Sequence, residues 1–349
     1  KTDTSGNISW QHIYGCGAHD RLYGVIQPTF NAVGGNLTGY ILTGVKGFST
    51  NSEQGLVYVI DTSGNVLYKN SYKHSDKVRL FQALQMFDGG GNADGYIIGG
   101  YVGTSDRNCL VLRVNNNLTL RANNGFGPTG AQSYGISGVD DMCQFISQTN
   151  NGYLLGANSG SSGSRKPLLI KITSAGDFGG GFPTTWAATY QYNSNDTSFL
   201  PFVAPTSILN GGYLIGGVLK EGTYWKGFLI KTDNDGGVVS SNTDTWARLY
   251  AGNTLGVEGL ISGVESSQGG LALSGWTKTW GIGNEMDYFL IKTDNFGEIC
   301  STCPGNFSQS ITANITKDTA ITIQHNNSVA ITYDTTGCTI DSTAGGIIA

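Results

Sequence analysis

One pattern returns five times along this chain, and it fixes what the chain can fold into. Each copy has a short apolar run after a turn, a variable loop, and a second apolar run that closes in a polar turn. The first runs read TGYILTG, DGYIIGG, NGYLLGA, GGYLIGG and GGLALSG, with Tyr40, Tyr96, Tyr153, Tyr213 and Leu271 in register. The second runs read LVYVIDTSG, CLVLRVNNN, LLIKITSAG, FLIKTDNDG and FLIKTDNFG. A period of about 58 residues built from short strands is the mark of a β-propeller or a related array.

A third strand carries a bulky aromatic four residues before a tyrosine: Trp10 and Tyr14, Tyr68 and Tyr72, Trp186 and Tyr190, Trp246 and Tyr250. Residues 118–124 read as its degenerate copy. Another apolar segment precedes each first run: LYGVIQPT, RLFQALQMF, MCQFISQT, FLPFVAPTSIL and LISGVESS. Four strands per unit predict an all-β, five-bladed β-propeller over residues 1–298. The fourth strand of the last blade is missing downstream, so residues 7–14 are expected to close the ring against residues 287–294. Closure removes the open edge that sheet proteins must otherwise protect. Residues 299–349 are expected to form a separate C-terminal β extension.

Composition agrees: glycine supplies 53 of 349 residues, while Val, Ile, Thr, Tyr and Phe fill runs bounded by Gly, Asn, Asp and Ser. A net charge of −5 without long Lys or Arg runs argues against a nucleic-acid partner. No apolar stretch is long enough for a helical membrane span. The chain starts in mid-blade without an initiator Met or signal peptide, which reads as a processed or partial product of a longer precursor.

GGYLIGG, FLIKTDNDG and WARLYAG resemble the repeats of secreted propeller-type surface proteins of bacteria, archaea and protists, whose units read roughly GGYIIAG, FLIKTDSNG and a Trp strand. The resemblance covers residues 1 to 298 and implies a propeller and export to the cell surface. It brings no catalytic motif.

The residues that carry chemistry are few. His12, His19, His74 and His325 fall in no nucleophile or metal pattern. Asp140 and Asp141 are adjacent, so a strand would point them to opposite faces. Asp233-Asn-Asp235-Gly236 opens like a calcium loop, yet the same register reads as ordinary tight turns at Asp61 and Asp3. No enzyme activity, metal or cofactor is expected. Lys231 and Lys292 are expected on a solvent face.

The six cysteines, Cys16, Cys109, Cys143, Cys300, Cys303 and Cys338, are expected in disulfides, with Cys109 to Cys143 as one pair and Cys338 to Cys300 or Cys303 as another. Sequons at Asn7, Asn36, Asn117, Asn195, Asn306, Asn314 and Asn326 are candidate glycosylation sites. Trp225 and Trp280 stand in variable loops as candidates for stacking on a sugar, although both also suit packing over a blade.

Beyond Asn306, FSQSITANIT, TAITIQHN and SVAITYDTTGCTI alternate apolar with polar residues, the signal of half-buried strands. So short a segment needs a second sheet: the propeller's flank, a downstream domain or another copy. Another copy is the expectation, with Ile311, Ile315, Ile321 and Ile323 as buried anchors. The chain thus reads as a secreted, non-catalytic surface protein that self-assembles through its tail. A carbohydrate-binding adhesive propeller is the alternative.

Overall fold

The structure is a computed structural model that describes all residues except 17–18, 28–38, 88–92, 123–125, 162, 178–184, 193–196, 239–243, 252–256, 279–284, 300–307, 311–315, 327 and 335–349. The described residues are all-β, arranged as five antiparallel sheets. Sheet one orders β1 (Arg21–Ile26), β2 (Gly39–Lys46), β3 (Gln54–Asp61) and β4 (Val66–Lys73). Sheet two repeats the order with β5 (Val78–Phe87), β6 (Ala93–Val102), β7 (Asn108–Val114) and β8 (Ala131–Ile136). Sheet three follows with β9 (Asp141–Thr149), β10 (Gly152–Ser159), β11 (Lys166–Thr173) and β12 (Trp186–Gln191). Sheet four holds β13 (Thr197–Pro205), β14 (Tyr213–Glu221), β15 (Tyr224–Thr232) and β16 (Trp246–Ala251). Sheet five has only β17 (Glu258–Glu265), β18 (Leu271–Thr277) and β19 (Asp287–Thr293).

The chain forms two compact units, residues 1–135 with 324–349 and residues 136–323. In the first, β5 packs on β1, β2 and β3, burying Val57, Val59, Val78, Leu80 and Ile98. In the second, β13 packs on β9, β10 and β11, and β17 on β13, β14 and β15. Within each unit, the first strand of a sheet thus covers the sheet before it.

The closed ring is not formed by the described residues. Residues 7–14 do not pair with residues 287–294; β19 pairs with β18 alone among described strands. Sheet two also corrects the reading of residues 118–124. Its fourth strand is β8, with Tyr134 opposite Cys109, as Tyr250 stands opposite Gly227. Gly130 falls where the tryptophan would stand, which is why the strand lacked its signature.

The tail does not stand apart from the repeat. Its strands β20 (Ser308–Ser310), β21 (Thr316–Asp318), β22 (Ile323–Asn326) and β23 (Thr332–Asp334) add to β16, β12, β8 and β4, one to each of sheets four to one in reverse chain order. Gln309, Lys317 and Tyr333 lie opposite Tyr250, Tyr190 and Tyr72. His325 stacks on Tyr134 with centroids 4.8 Å apart. These four positions are eight residues apart, and the sequence repeats as SQSITANI, TKDTAITI, QHNNSVAI and TYDTTGCT. Each tail strand satisfies the outer edge of a fourth strand, the edge that would otherwise recruit foreign strands. The described tail therefore finds its second sheet within its own chain rather than on a neighbour. Its buried anchors are Val329 and Ile331, which join the core of the first unit. Ile321 and Ile323 are only half-buried, and Ile311 and Ile315 lie outside the described residues.

Two further expectations change. Cys109 and Cys143 are buried thiols, each enclosed in its own sheet, so they form no disulfide. Cys16 is disulfide-bonded, with no described cysteine as its partner; Cys300, Cys303 and Cys338 lie outside the described residues. Lys231 is fully buried, not on a solvent face. Its ammonium donates to the carbonyls of Gly211 at 2.5 Å, Thr232 at 2.9 Å and Asp244 at 3.0 Å. Burial pulls its pKa down, against the charges of Asp244 and Asp233. Lys292 is exposed as expected.

Tail anchoring gives a first prediction. Ile331→Ala, which empties a buried site, should lower stability by about 2 kcal/mol in denaturant unfolding. Ile321→Ala, at a half-exposed position, should change it by less than about 0.5 kcal/mol.

Candidate functional site

A single contact recurs between sheets. The fourth strand of one sheet carries a tyrosine whose hydroxyl donates to a carbonyl in the turn after the next sheet's third strand. Tyr72 Oη donates to Leu118 O at 2.7 Å, Tyr190 Oη to Gly236 O at 2.8 Å and Tyr250 Oη to Gly297 O at 2.7 Å. The tryptophan four residues earlier adds a second bond: Trp186 Nε1 to Asn234 O at 3.3 Å and Trp246 Nε1 to Asn295 O at 3.2 Å. The aromatic pair closes on the turn glycine, at Gly236 and Gly297. A Cβ at Gly297 would sit 2.6 Å from the Trp246 ring, and its φ of +71° already disfavours a side chain. Leu118 takes this place in sheet two at φ 66°, with its side chain buried. It is tolerated because β4 supplies the smaller Tyr68, itself largely exposed, where β12 and β16 supply tryptophan.

The turns hold themselves. Asp61 Oδ1 accepts from Ser63 N and Asn65 N, Asp233 Oδ1 from Asp235 N and Gly237 N, and Asp294 Oδ1 from Phe296 N and Glu298 N. The carboxylate of Asp233 is thus engaged by backbone N–H groups, as the tight-turn reading expects. Among the described residues no cluster of three His, Cys, Asp or Glu side chains is placed to hold a metal.

The N-terminal segment makes the same inter-sheet contact with no sheet of its own. Trp10 Nε1 donates to Thr62 O at 2.7 Å and Tyr14 Oη to Gly64 O at 2.8 Å. The Trp10 and Tyr40 rings lie 6.3 Å apart, as Trp186 and Tyr213 lie 6.0 Å apart. Even the preceding turn matches, with Asp3 Oδ1 accepting from Ser5 N and Asn7 N. Residues 10–14 therefore take the place of a fourth strand on the turn of sheet one, although they form no strand themselves.

Beside this segment lies an open groove of about 480 Å³, lined by Trp10, Tyr14, Leu22, Val25, Tyr40 and Leu42 among others. It runs along β1. Val25 is 64% exposed there. Burial, reinforced by the Asp61 charge, pushes the Tyr14 phenol up to about 12, so it remains a donor through neutral pH.

The opposite end of the repeat has the complementary want. In β19, Tyr288 is 90% and Leu290 78% exposed, with Ile261 and Val264 of β17 also open to solvent. The equivalents of Leu290 in sheets one and four, Val57 and Leu229, are fully buried under the following sheet. Tyr288 stands where sheets one and four have Gly55 and Gly227.

Trp225 is half-buried, stacked on Phe199 at 5.8 Å with Lys220 Nζ 5.5 Å over its ring, the arrangement of a packed side chain. Trp280 lies outside the described residues. Asn7, Asn117 and Asn326 are exposed; Asn36, Asn195, Asn306 and Asn314 lie outside the described residues. The groove and the exposed face of β19 had no signal in any single motif; comparing equivalent positions across the repeats exposes them.

No family model matches this chain. No curated protein matches it.

Tyr14→Phe should weaken the N-terminal seat by about 1 kcal/mol, read as faster hydrogen exchange over residues 8–14. The phenol is raised in the folded state, so its contribution is complete below the unfolded value of about 10 and disappears as pH rises through about 12. The difference between wild type and variant should therefore vanish at strongly alkaline pH.

Proposed function

We propose that this chain is a secreted, non-catalytic structural protein of a cell surface, a rigid repeat block that assembles with copies of itself. The observation that carries this reading is the asymmetry of edges. Four sheets have their outer strands covered by the chain's own tail, whereas β19 has no outer neighbour among the described strands and carries the exposed Tyr288 and Leu290. An apolar strand of this kind is suited to strand addition. Contact of unlike ends is heterologous, and it extends as a filament where its rotation does not close a ring. Export is supported by the resemblance to secreted surface repeats and by exposed sequons at Asn7, Asn117 and Asn326, where a glycan would project into solvent.

The aromatic lining of the groove supports a second reading, in which Trp10, Tyr14 and Tyr40 stack on a sugar face in an adhesive lectin. Sedimentation and negative-stain imaging of the full chain over a wide concentration range separate the two. The structural reading expects linear oligomers that lengthen with concentration. A persistent monomer that binds defined glycans on an array would replace it with the lectin reading.

A further inference from the structure

We infer that the run of arginines and aromatic rings at the starts of β1 and β5 binds a linear acidic polysaccharide, one carrying carboxylate or sulfate groups along its length. The choice of a polysaccharide rests on the cell-surface reading above; the anion site itself goes beyond it.

Guanidinium groups and rings follow one another across the two sheets of the first unit. Arg21 Cζ lies 3.4 Å from the centre of the Phe48 ring, and Arg79 Cζ lies 4.5 Å from the same centre. Arg79 is also 5.7 Å from the Tyr101 ring, and Arg107 is 5.5 Å from it. Arg21 and Arg79 hold the same place in β1 and β5, opposite Val45 and Tyr101. Sheets three, four and five have Met142, Phe199 and Gly259 at that place. A chain of net charge −5 thus gathers cations at one register of two neighbouring sheets.

One carboxylate balances the middle of the run. Glu53, its side chain fully buried, accepts from Arg79 Nε, from Arg79 Nη2 at 2.9 Å and from Ser49 N at 3.0 Å, with Lys77 Nζ 3.5 Å away. Against its burial, these partners hold its carboxyl below the usual range, so it is charged at neutral pH. Set against both Arg79 and Lys77, Glu53 already leaves positive charge over, and Arg21 adds to it. Arg21 is exposed, lies on Phe48 and meets no carboxylate among the described residues. The adjacent Asp20 is turned to the backbone, accepting from Gly47 N at 3.0 Å and from Cys16 N. A guanidinium held against a ring keeps its N–H edge for bidentate contact with a planar or tetrahedral anion.

A sugar has a place beside that anion. Tyr23, whose hydroxyl Arg21 reaches, stacks on Phe81 with centroids 4.6 Å apart and stays 37% exposed. An exposed ring next to a guanidinium suits a sugar bearing an acid group, its face on the ring and its acid on the arginine. Because the cations continue from β1 to β5, a chain of such sugars matches them better than a single one.

The test measures retention of the full chain on immobilised polygalacturonate and heparin over a series of salt concentrations, with dextran as the uncharged control and duplex DNA as a competing polyanion. The expected result is binding to a charged polysaccharide that weakens with salt, and none to dextran; preference for polygalacturonate assigns carboxylate, and preference for heparin assigns sulfate. Arg21→Gln should lower the affinity about fivefold and flatten the salt dependence by about one ion, at an unchanged unfolding midpoint. Arg21→Lys should fall between, because it restores the charge without the fork. Lys278→Gln, which removes the same charge from an exposed position after β18, should bind as wild type. Wild-type binding by Arg21→Gln, or an equal loss in Lys278→Gln, would overturn the site. Tighter binding of DNA than of either polysaccharide would overturn the partner class, and no binding at low salt would overturn the inference as a whole. Self-assembly is read separately by sedimentation, so each of these failures leaves the structural reading in place.

Discussion

The hydrogen bond from a fourth-strand tyrosine to a turn carbonyl of the next sheet is the contact on which the architecture depends. Hydrophobic packing between sheets is non-directional and would allow one sheet to slide on another. The buried phenols of Tyr72, Tyr190 and Tyr250 each have one acceptor within reach, and leaving it unpaired would carry the full desolvation penalty. Burial pushes all three phenols up, which keeps them as donors. Within each unit the bond therefore sets the offset between successive sheets, and where the turn residue is glycine, at Gly236 and Gly297, the bare backbone beneath the ring sets how closely they approach.

The same contact explains the ends of the chain. Tyr14 makes it with sheet one and so fixes the N-terminal segment as a strand in waiting, while β19 has no such strand beside it among the described residues. The tail solves the opposite problem. By laying one short strand on each of β16, β12, β8 and β4, it covers the outer edges that repeats of this kind would otherwise offer in series.

Much of the fold was legible in the sequence because the repeat is strong. The Gly-Tyr runs, the second runs and their turns fall where the alignment puts them, and the aromatic-x-x-x-Tyr spacing marked the fourth strands of sheets one, three and four. Sheet two was misread because Gly130 replaces the tryptophan and only Tyr134 remains. The tail was read by its period of two, which finds strands but not their partners. Its period of eight, with Gln309, Lys317, His325 and Tyr333 in register, held the information that one strand goes to each sheet. Lys231 was misplaced because alternation predicts which face a side chain takes, not whether a loop will cover that face with carbonyls. The candidate interface was legible only in part: the missing fourth strand followed from counting, while the exposed Tyr288 and the groove beside Tyr14 needed the tertiary arrangement.

The central claim is that β19 is an edge completed by another copy. Hydrogen exchange of the β19 amides as a function of protein concentration tests it most directly. The account predicts that amides of residues 288–292 facing away from β18 exchange rapidly in dilute solution and become protected as assembly proceeds. Protection of these amides that is already complete in the dilute monomer, or that never develops at any concentration, would contradict it.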